Sequence, residues 1–297
     1  MANVKFGEKF VDDRFVDSVE PNLFGDSVLI PGLTFTPKYQ TGSAGQVFVH
    51  KPGVEVIVPQ APGGDFTHKD VPDGLIQIKY NNEFPRSRKI KGVAAAAVGY
   101  DLAEEELSIA LQEVSEAIQT AGLCALTQES STLQLGGVDD TTAIDKTNVK
   151  DYILKLRKAV RQAKGNVNFA IFSTEVFEKF LQYIGTDYTP VFNDDVMRTN
   201  GRIIQALGLT ILEGNLLNNE AAKYINQSDV LTTVDLTKVD IIMGDYDANS
   251  LLILIDALRI IDAIDFLGSY AQVLSVVAYK ITNSARVIKK VNNGGAY

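Results

Sequence analysis

Apolar positions along the 297-residue chain follow two different periods, and the change from one to the other divides the sequence. From Asp101 onward, Ala103, Leu107, Ala110, Leu111, Val114, Ala117, Ile118 and Ala121 recur every three or four residues, the spacing of one helix face. Glu104, Glu105 and Glu106 crowd the first turns, where the helix dipole favours negative charge, and Asp101 is placed to cap them. The pattern predicts a long amphipathic helix over 101–128, about 40 Å at 1.5 Å per residue. Gly122 costs about 1 kcal/mol in such a helix and reads as a bend or a fraying end. Cys124 reads as a small buried apolar residue.

A second helix is expected over 147–163, with Val149, Ile153, Leu156 and Val160 on one face and Gly165 ending it. Val167 to Phe172 reads as a buried strand, and Ser173 caps a third helix carrying Val176, Phe177, Phe180 and Leu181. After an irregular polar stretch, 185–201, the runs Leu209 to Leu212, Val239 to Met243 and Leu251 to Ile264 read as further strands. Elements in this order give an α+β domain.

Upstream, the pattern is β-like. Residues 46–58 and 75–90 are rich in β-branched and aromatic residues with partial period-2 alternation. Between them Pro59 to Gly74 holds three prolines and three glycines, which no regular ladder tolerates. The two runs predict a long two-stranded excursion with an irregular tip in which Phe66 and Val71 still need burial and Lys69 offers a cleavage site. An isolated two-stranded ribbon is marginal in water, so it must lie on its own domain or on a neighbouring chain. Residues 1–40, punctuated by Pro21, Gly25, Pro31, Gly32 and Pro37, read as an extended arm in which Val28, Leu29 and Ile30 can pair at a sheet edge. Its Phe6, Phe10, Phe15, Phe24 and Phe35 must also be covered by its own domain or a neighbour.

Composition removes several functions. Lys plus Arg number 28 and Asp plus Glu 37, a formal net charge of −9 with no basic block, which disfavours a protein built to grip nucleic acid. One cysteine excludes an internal disulfide, and that thiol with His50 and His68 cannot assemble a Cys/His zinc site. No apolar run is long enough for a signal peptide core or a membrane span, so the chain is expected to be soluble and intracellular when made, and Asn226-Gln227-Ser228 is then a chance sequon. Asp245-Tyr-Asp247-Ala-Asn249 starts like a calcium loop, but Ser250 stands where the loop needs glycine and an apolar run follows, so a turn between strands is expected. The pairs Asp139-Asp140 and Asp194-Asp195 read as solvated turns rather than acid and base, because adjacent side chains point apart. There is no phosphate-binding glycine fingerprint and no G-x-S-x-G elbow. Nothing supports an enzyme or a cofactor.

Arm, two-stranded loop, long helix and mixed domain together resemble the major capsid proteins of tailed bacteriophages over nearly the whole chain. The more specific parts are Gly201 to Asn215, similar to the family's polar turn, Leu-Gly and short strand, and the finish, where Ala271 to Ile281, a Thr-Asn-Ser turn and Ala285 to Val291 resemble closing peripheral-domain strands. The resemblance implies an N-arm (1–40), an E-loop (41–95), a peripheral domain with the spine helix (96–135), an axial domain (136–257) and peripheral C-terminal strands (258–297). It implies a virion shell protein assembled in the host cytoplasm, whose copies form pentamers and hexamers around double-stranded DNA without sequence-specific binding. Implied partners are a portal and decoration proteins, with scaffolding either a separate protein or absent, since this sequence shows no long helical scaffolding segment. Candidate intersubunit contacts are Phe66, Lys69 and Val71 in the loop tip, and Glu213, Glu220 and Lys223 near a capsomer axis. The alternatives are an encapsulin-type nanocompartment with a protein cargo and, from another class, a soluble α+β enzyme.

Overall fold

The chain is described by a computed structural model, which covers residue 29 and residues 34–37, 46–50, 75–91, 102–187, 203–206, 209–217, 221–262 and 267–292. It begins with β1 (Thr36–Pro37), β2 (Gln46–His50), β3 (Leu75–Lys79), β4 (Asn82–Lys91) and the helix α1 (Leu102–Glu129). Next come β5 (Ser131–Thr132), β6 (Gln134–Leu135), β7 (Val138–Asp139), α2 (Val149–Gln162), β8 (Phe169–Phe172) and α3 (Thr174–Asp187). The rest is strand: β9 (Ile203–Ala206), β10 (Leu209–Glu213), β11 (Ala221–Ile225), β12 (Leu231–Asp235), β13 (Val239–Gly244), β14 (Asn249–Asp262), β15 (Gly268–Ile281) and β16 (Val287–Val291).

The spine of the molecule is α1. Its first half buries one stripe, Leu107, Ala110, Leu111, Val114 and Ile118, and from Ala121 to Thr127 every side is covered. The expected N-cap, Asp101, lies outside the described residues. Gly122 marks no bend: a Cβ there would stand 2.3 Å from Leu29 Cδ1 and 2.8 Å from Tyr279 Cε1, so the glycine permits close packing. Tyr279, from β15, donates its hydroxyl to the Ile118 carbonyl. Leu29 and Phe35 are buried in the same core, so this part of the arm packs on its own chain. The strand described there is Thr36–Pro37, paired in parallel with β14; Val28 and Ile30 of the expected edge strand lie outside the described residues.

Two sheets carry the fold. A four-stranded sheet runs β1-β14-β15-β4 and a six-stranded mixed sheet runs β5-β16-β13-β8-β10-β9. Alternation along the strands of the second sheet divides the core. Phe169 and Ile171 of β8 face the cluster that contains α1, while Ala170 and Phe172 face Val149, Ile153, Leu156 and Val160 of α2 and Val176, Phe177 and Phe180 of α3. The left-handed position that closes α2 falls one residue before the expected glycine: Lys164 has φ 59°, and Gly165 N donates to Val160 O at 3.1 Å. Lys164 N donates to Arg161 O, which completes a Schellman cap.

Two connections pass between the sheets at one place. The chain leaves β13 for β14 through one short turn, Tyr246–Ala248, and leaves β15 for β16 through another, Ser284–Arg286. The two closing strands therefore belong to different sheets. Asp245 is the staple. Its Oδ1 accepts from Asp247 N at 3.2 Å, and its Oδ2 accepts from Asn166 N at 3.0 Å and Arg286 NH1 at 3.4 Å. Thr282 N donates to Ala248 O at 2.8 Å across the two turns. The carboxylate read as a calcium-loop start is thus the cap of a turn between strands.

Candidate functional site, an intersubunit surface

The second leg of the excursion is not one strand. It breaks at Tyr80-Asn81: among the described residues β3 pairs with β2 alone, whereas β4 pairs along its length with β15. Asn82 and Gln227 make this joint. Asn82 Oδ1 accepts from Ile225 N and its Nδ2 donates to Ile225 O, both at 2.9 Å. Gln227 Oε1 accepts from Lys79 N at 2.8 Å, and its Nε2 donates to Lys79 O at 3.2 Å and Tyr279 O at 3.1 Å. Each amide replaces a missing strand neighbour, satisfying both backbone groups at the break. Lys79 Nζ also meets Asp229 Oδ2 at 3.3 Å, and Asn81 donates to the Asn226 carbonyl.

The partner of the break is the β11–β12 hairpin, whose turn Asn226-Gln-Ser-Asp229 is held by Asn226 Oδ1 accepting from Ser228 N and Val230 N. Tyr224 and Val234 bury its inner face against the core around α1. The sequence reading missed this hairpin, having set the tripeptide aside as a chance sequon. A polar Asn-Gln-Ser-Asp turn flanked by β-branched residues was the available signal.

On the other side of the root, β4 is tied to α1. Arg88 reaches Glu106 at 2.5 Å and Glu113 at 3.0 Å, and Arg86 makes a forked pair with Glu113. Hydrogen bonding from Arg86 holds the Glu113 carboxyl below its usual range. Beside this cluster Glu83, Phe84, Pro85, Arg86, Glu113, Val114 and Ala117 line an open depression of about 410 Å³. Among the described residues β4 is a sheet edge, and its Pro85, Arg86, Arg88, Lys89 and Lys91 discourage another strand from extending it. Exposed apolar side chains stand at the far end of the β14–β15 ribbon, Ile260 and Leu267, and at the β11–β12 tip, Val230 and Leu231.

The candidate contact residues separate into two groups. Phe66, Lys69, Val71 and Glu220 lie outside the described residues. Glu213 ends β10 and is partly exposed; Lys223 is exposed in the middle of β11, opposite Thr233. No ion pair among the described residues joins them. Between them Leu217 is buried in the core around α1, so the run from Glu213 is anchored at that point rather than free. Asp140 departs from the solvated turn expected of it. It is buried, and its Oδ1 accepts from Thr142 N at 3.0 Å and from Tyr152 OH at 3.3 Å, while Asp139 is exposed. Among the described residues no three His, Cys, Asp or Glu side chains are grouped to hold a metal, and no helix is long and apolar enough to cross a membrane.

A long helix packed beside a ribboned sheet, a second sheet flanked by two helices and an excursion rooted at the junction define the α+β fold of tailed-phage major capsid proteins. The chain is similar to the capsid structure of cyanophage P-SCSP1u, at 12% identity over 92% of both chains, with a TM-score of 0.63. It is similar to the mature capsid of bacteriophage PhiM1, at 11% identity over 91% of this chain and 90% of that one, TM-score 0.57. A virus-like particle from Pyrococcus furiosus has the same fold, at 10% identity over 92% of this chain and 96% of that one, TM-score 0.55. No protein-family model and no curated protein matches the sequence.

Proposed function

We propose that the chain is a structural shell protein of a tailed-phage virion, with copies assembling as pentamers and hexamers into an icosahedral head around double-stranded DNA. The observation that carries this reading is the fold shared with the cyanophage capsid over 92% of both chains. The division into N-arm, E-loop, peripheral and axial parts belongs to the proposal, as do a scaffolding protein, a portal and decoration proteins as partners. In it the tip with Phe66, Lys69 and Val71 lies over a neighbouring copy, and Glu213, Glu220 and Lys223 lie where symmetry mates approach. Sedimentation and negative-stain microscopy of the expressed protein, with and without its scaffold, are the test. Closed shells or capsomer-sized rings are expected; a persistent monomer under all conditions refutes the reading.

The likeness to the Pyrococcus particle supports a second reading, a nanocompartment shell holding a folded protein cargo. The contents of purified particles separate the two: nuclease-protected DNA for the first, a co-purifying folded protein for the second.

A further inference from the structure

The outer face of α2 departs from the charge of the whole. In a chain of net charge −9, this 14-residue helix carries Lys150, Lys155, Arg157, Lys158 and Arg161 against the single acid Asp151. Its apolar side chains Val149, Ile153, Leu156 and Val160 are fully buried against the six-stranded sheet, which turns Lys155, Lys158 and Arg161 to the exposed side. Lys146 and Lys164 extend the exposed cations beyond both ends. Several described cations elsewhere are neutralised within the chain: Lys79, Arg86, Arg88, Lys179, Lys238, Lys280 and Arg286 each pair with a carboxylate. Lys146, Lys158 and Arg161 pair with no carboxylate among the described residues.

From these observations we propose that the outer face of α2 docks the phosphate backbone of double-stranded DNA. Lys150 to Arg161 spans about 17 Å of helix axis, and a duplex carries one charge per about 1.7 Å, so several phosphates lie within reach of one helix. The surface suits a rod rather than a small ligand, being an open depression of about 460 Å³ lined by Leu154, Arg157, Lys158, Arg161 and Gln162. A second copy of the chain is the competing occupant. Lysine is depleted at protein interfaces, whereas Lys and Arg without base-reading partners are the usual means of holding a DNA backbone. The source of the DNA, the packaged genome, rests on the shell reading; the contact itself does not.

The test uses the full chain as unassembled subunits, titrated against a fluorescent 30-base-pair duplex of mixed sequence between 50 and 200 mM salt. Three phosphate contacts give a slope of about −3 for log K against log salt, and Lys158→Gln with Arg161→Gln should reduce its magnitude by about 2. Both positions are exposed, so the melting temperature should be unchanged. No salt-dependent binding by the wild type, or an identical slope in the variant, overturns the proposal. So does tighter binding of a poly-glutamate peptide than of the duplex, or a variant that binds DNA normally but no longer assembles, which would make the face a contact between copies. Shells that form without any such DNA binding refute this inference alone; variant-sensitive DNA binding by a protein that never forms shells refutes the shell reading and leaves this one standing.

Discussion

Lys290 is wholly buried, and its ammonium is held by the Thr142 carbonyl at 2.8 Å and the Val291 carbonyl at 2.5 Å, with the Tyr152 ring centroid 5.1 Å away. Burial pushes its pKa down, opposed by the carboxylates of Asp240 and Asp140. Those two acids respond oppositely to the same surroundings. Burial raises Asp240, even though Asn292 donates to it at 2.8 Å. Burial also acts to raise Asp140, but the hydrogen bonds from Thr142, with Lys290 and Tyr152, outweigh it and hold Asp140 below its ordinary 3.8. The linkage signs follow. Asp140 contributes stability that is present above pH 3.8 and is lost as pH falls through its lower folded value, whereas ionised Asp240 carries a penalty that disappears on acidification. Asp140→Asn should therefore cost about 1–3 kcal/mol at pH 7, with a deficit that shrinks at pH 3. For Asp240→Asn the wild type should instead gain on the variant as pH falls. Urea denaturation at the two pH values reads both, and parallel shifts would refute the assignment. Chain adjacency rightly predicted that Asp139 and Asp140 point apart. It could not show which one is inside, because the partners Tyr152 and Lys290 come from α2 and β16.

At the scale of elements, Gly122 sets two effects against each other. Alanine has the better helix propensity by about 1 kcal/mol, but its Cβ would meet Leu29 at 2.3 Å and Tyr279 at 2.8 Å. Overpacking of this kind costs about 1–3 kcal/mol, so Gly122→Ala should lower the melting temperature; an increase would mean that the crossing of α1 over β15 is looser than described. The excursion root makes a second case. Gln227→Ala removes the partners of Lys79 N and Lys79 O, so hydrogen exchange should quicken at Lys79 and spare α2 and α3. Uniform loss of protection would show that the joint is not a local device. The three helices were legible because their apolar periods are long and their caps local, as were the apolar runs of β8, β10 and β13. The strand break at Tyr80-Asn81 and the hairpin that fills it were not. They depend on side-chain amides completing a backbone ladder with residues nearly 150 positions away, which no local pattern encodes.

For the whole molecule, the shell reading gives the tip of the excursion two environments. Trypsin should cut near Lys69 in free subunits and be excluded in shells, and Phe66→Ala should weaken assembly more than folding, since burying that ring is worth about 1.5–3 kcal/mol. Mass spectrometry of limited digests reads the site, and equal protection in both states would put the loop on its own domain. The staple between the sheets is the other whole-molecule feature. Arg286→Met leaves Asp245 buried without its cation and should cost about 3–5 kcal/mol in chemical denaturation; a loss under 1 kcal/mol would show that the backbone bonds there suffice. Residues of both sheets meet α1 in one close-packed core, the six-stranded sheet packs a second core against α2 and α3, and two short covalent bridges run side by side between the sheets. Mechanically this is a pair of parallel rails. Twisting or sliding one sheet against the other strains both rails and the Asp245–Arg286 clamp, and folding about the line through the two turns opens the core that the sheets share around α1. In the proposed shell such a tile keeps one internal shape, so the difference in curvature between pentagonal and hexagonal corners is taken up between copies rather than within one.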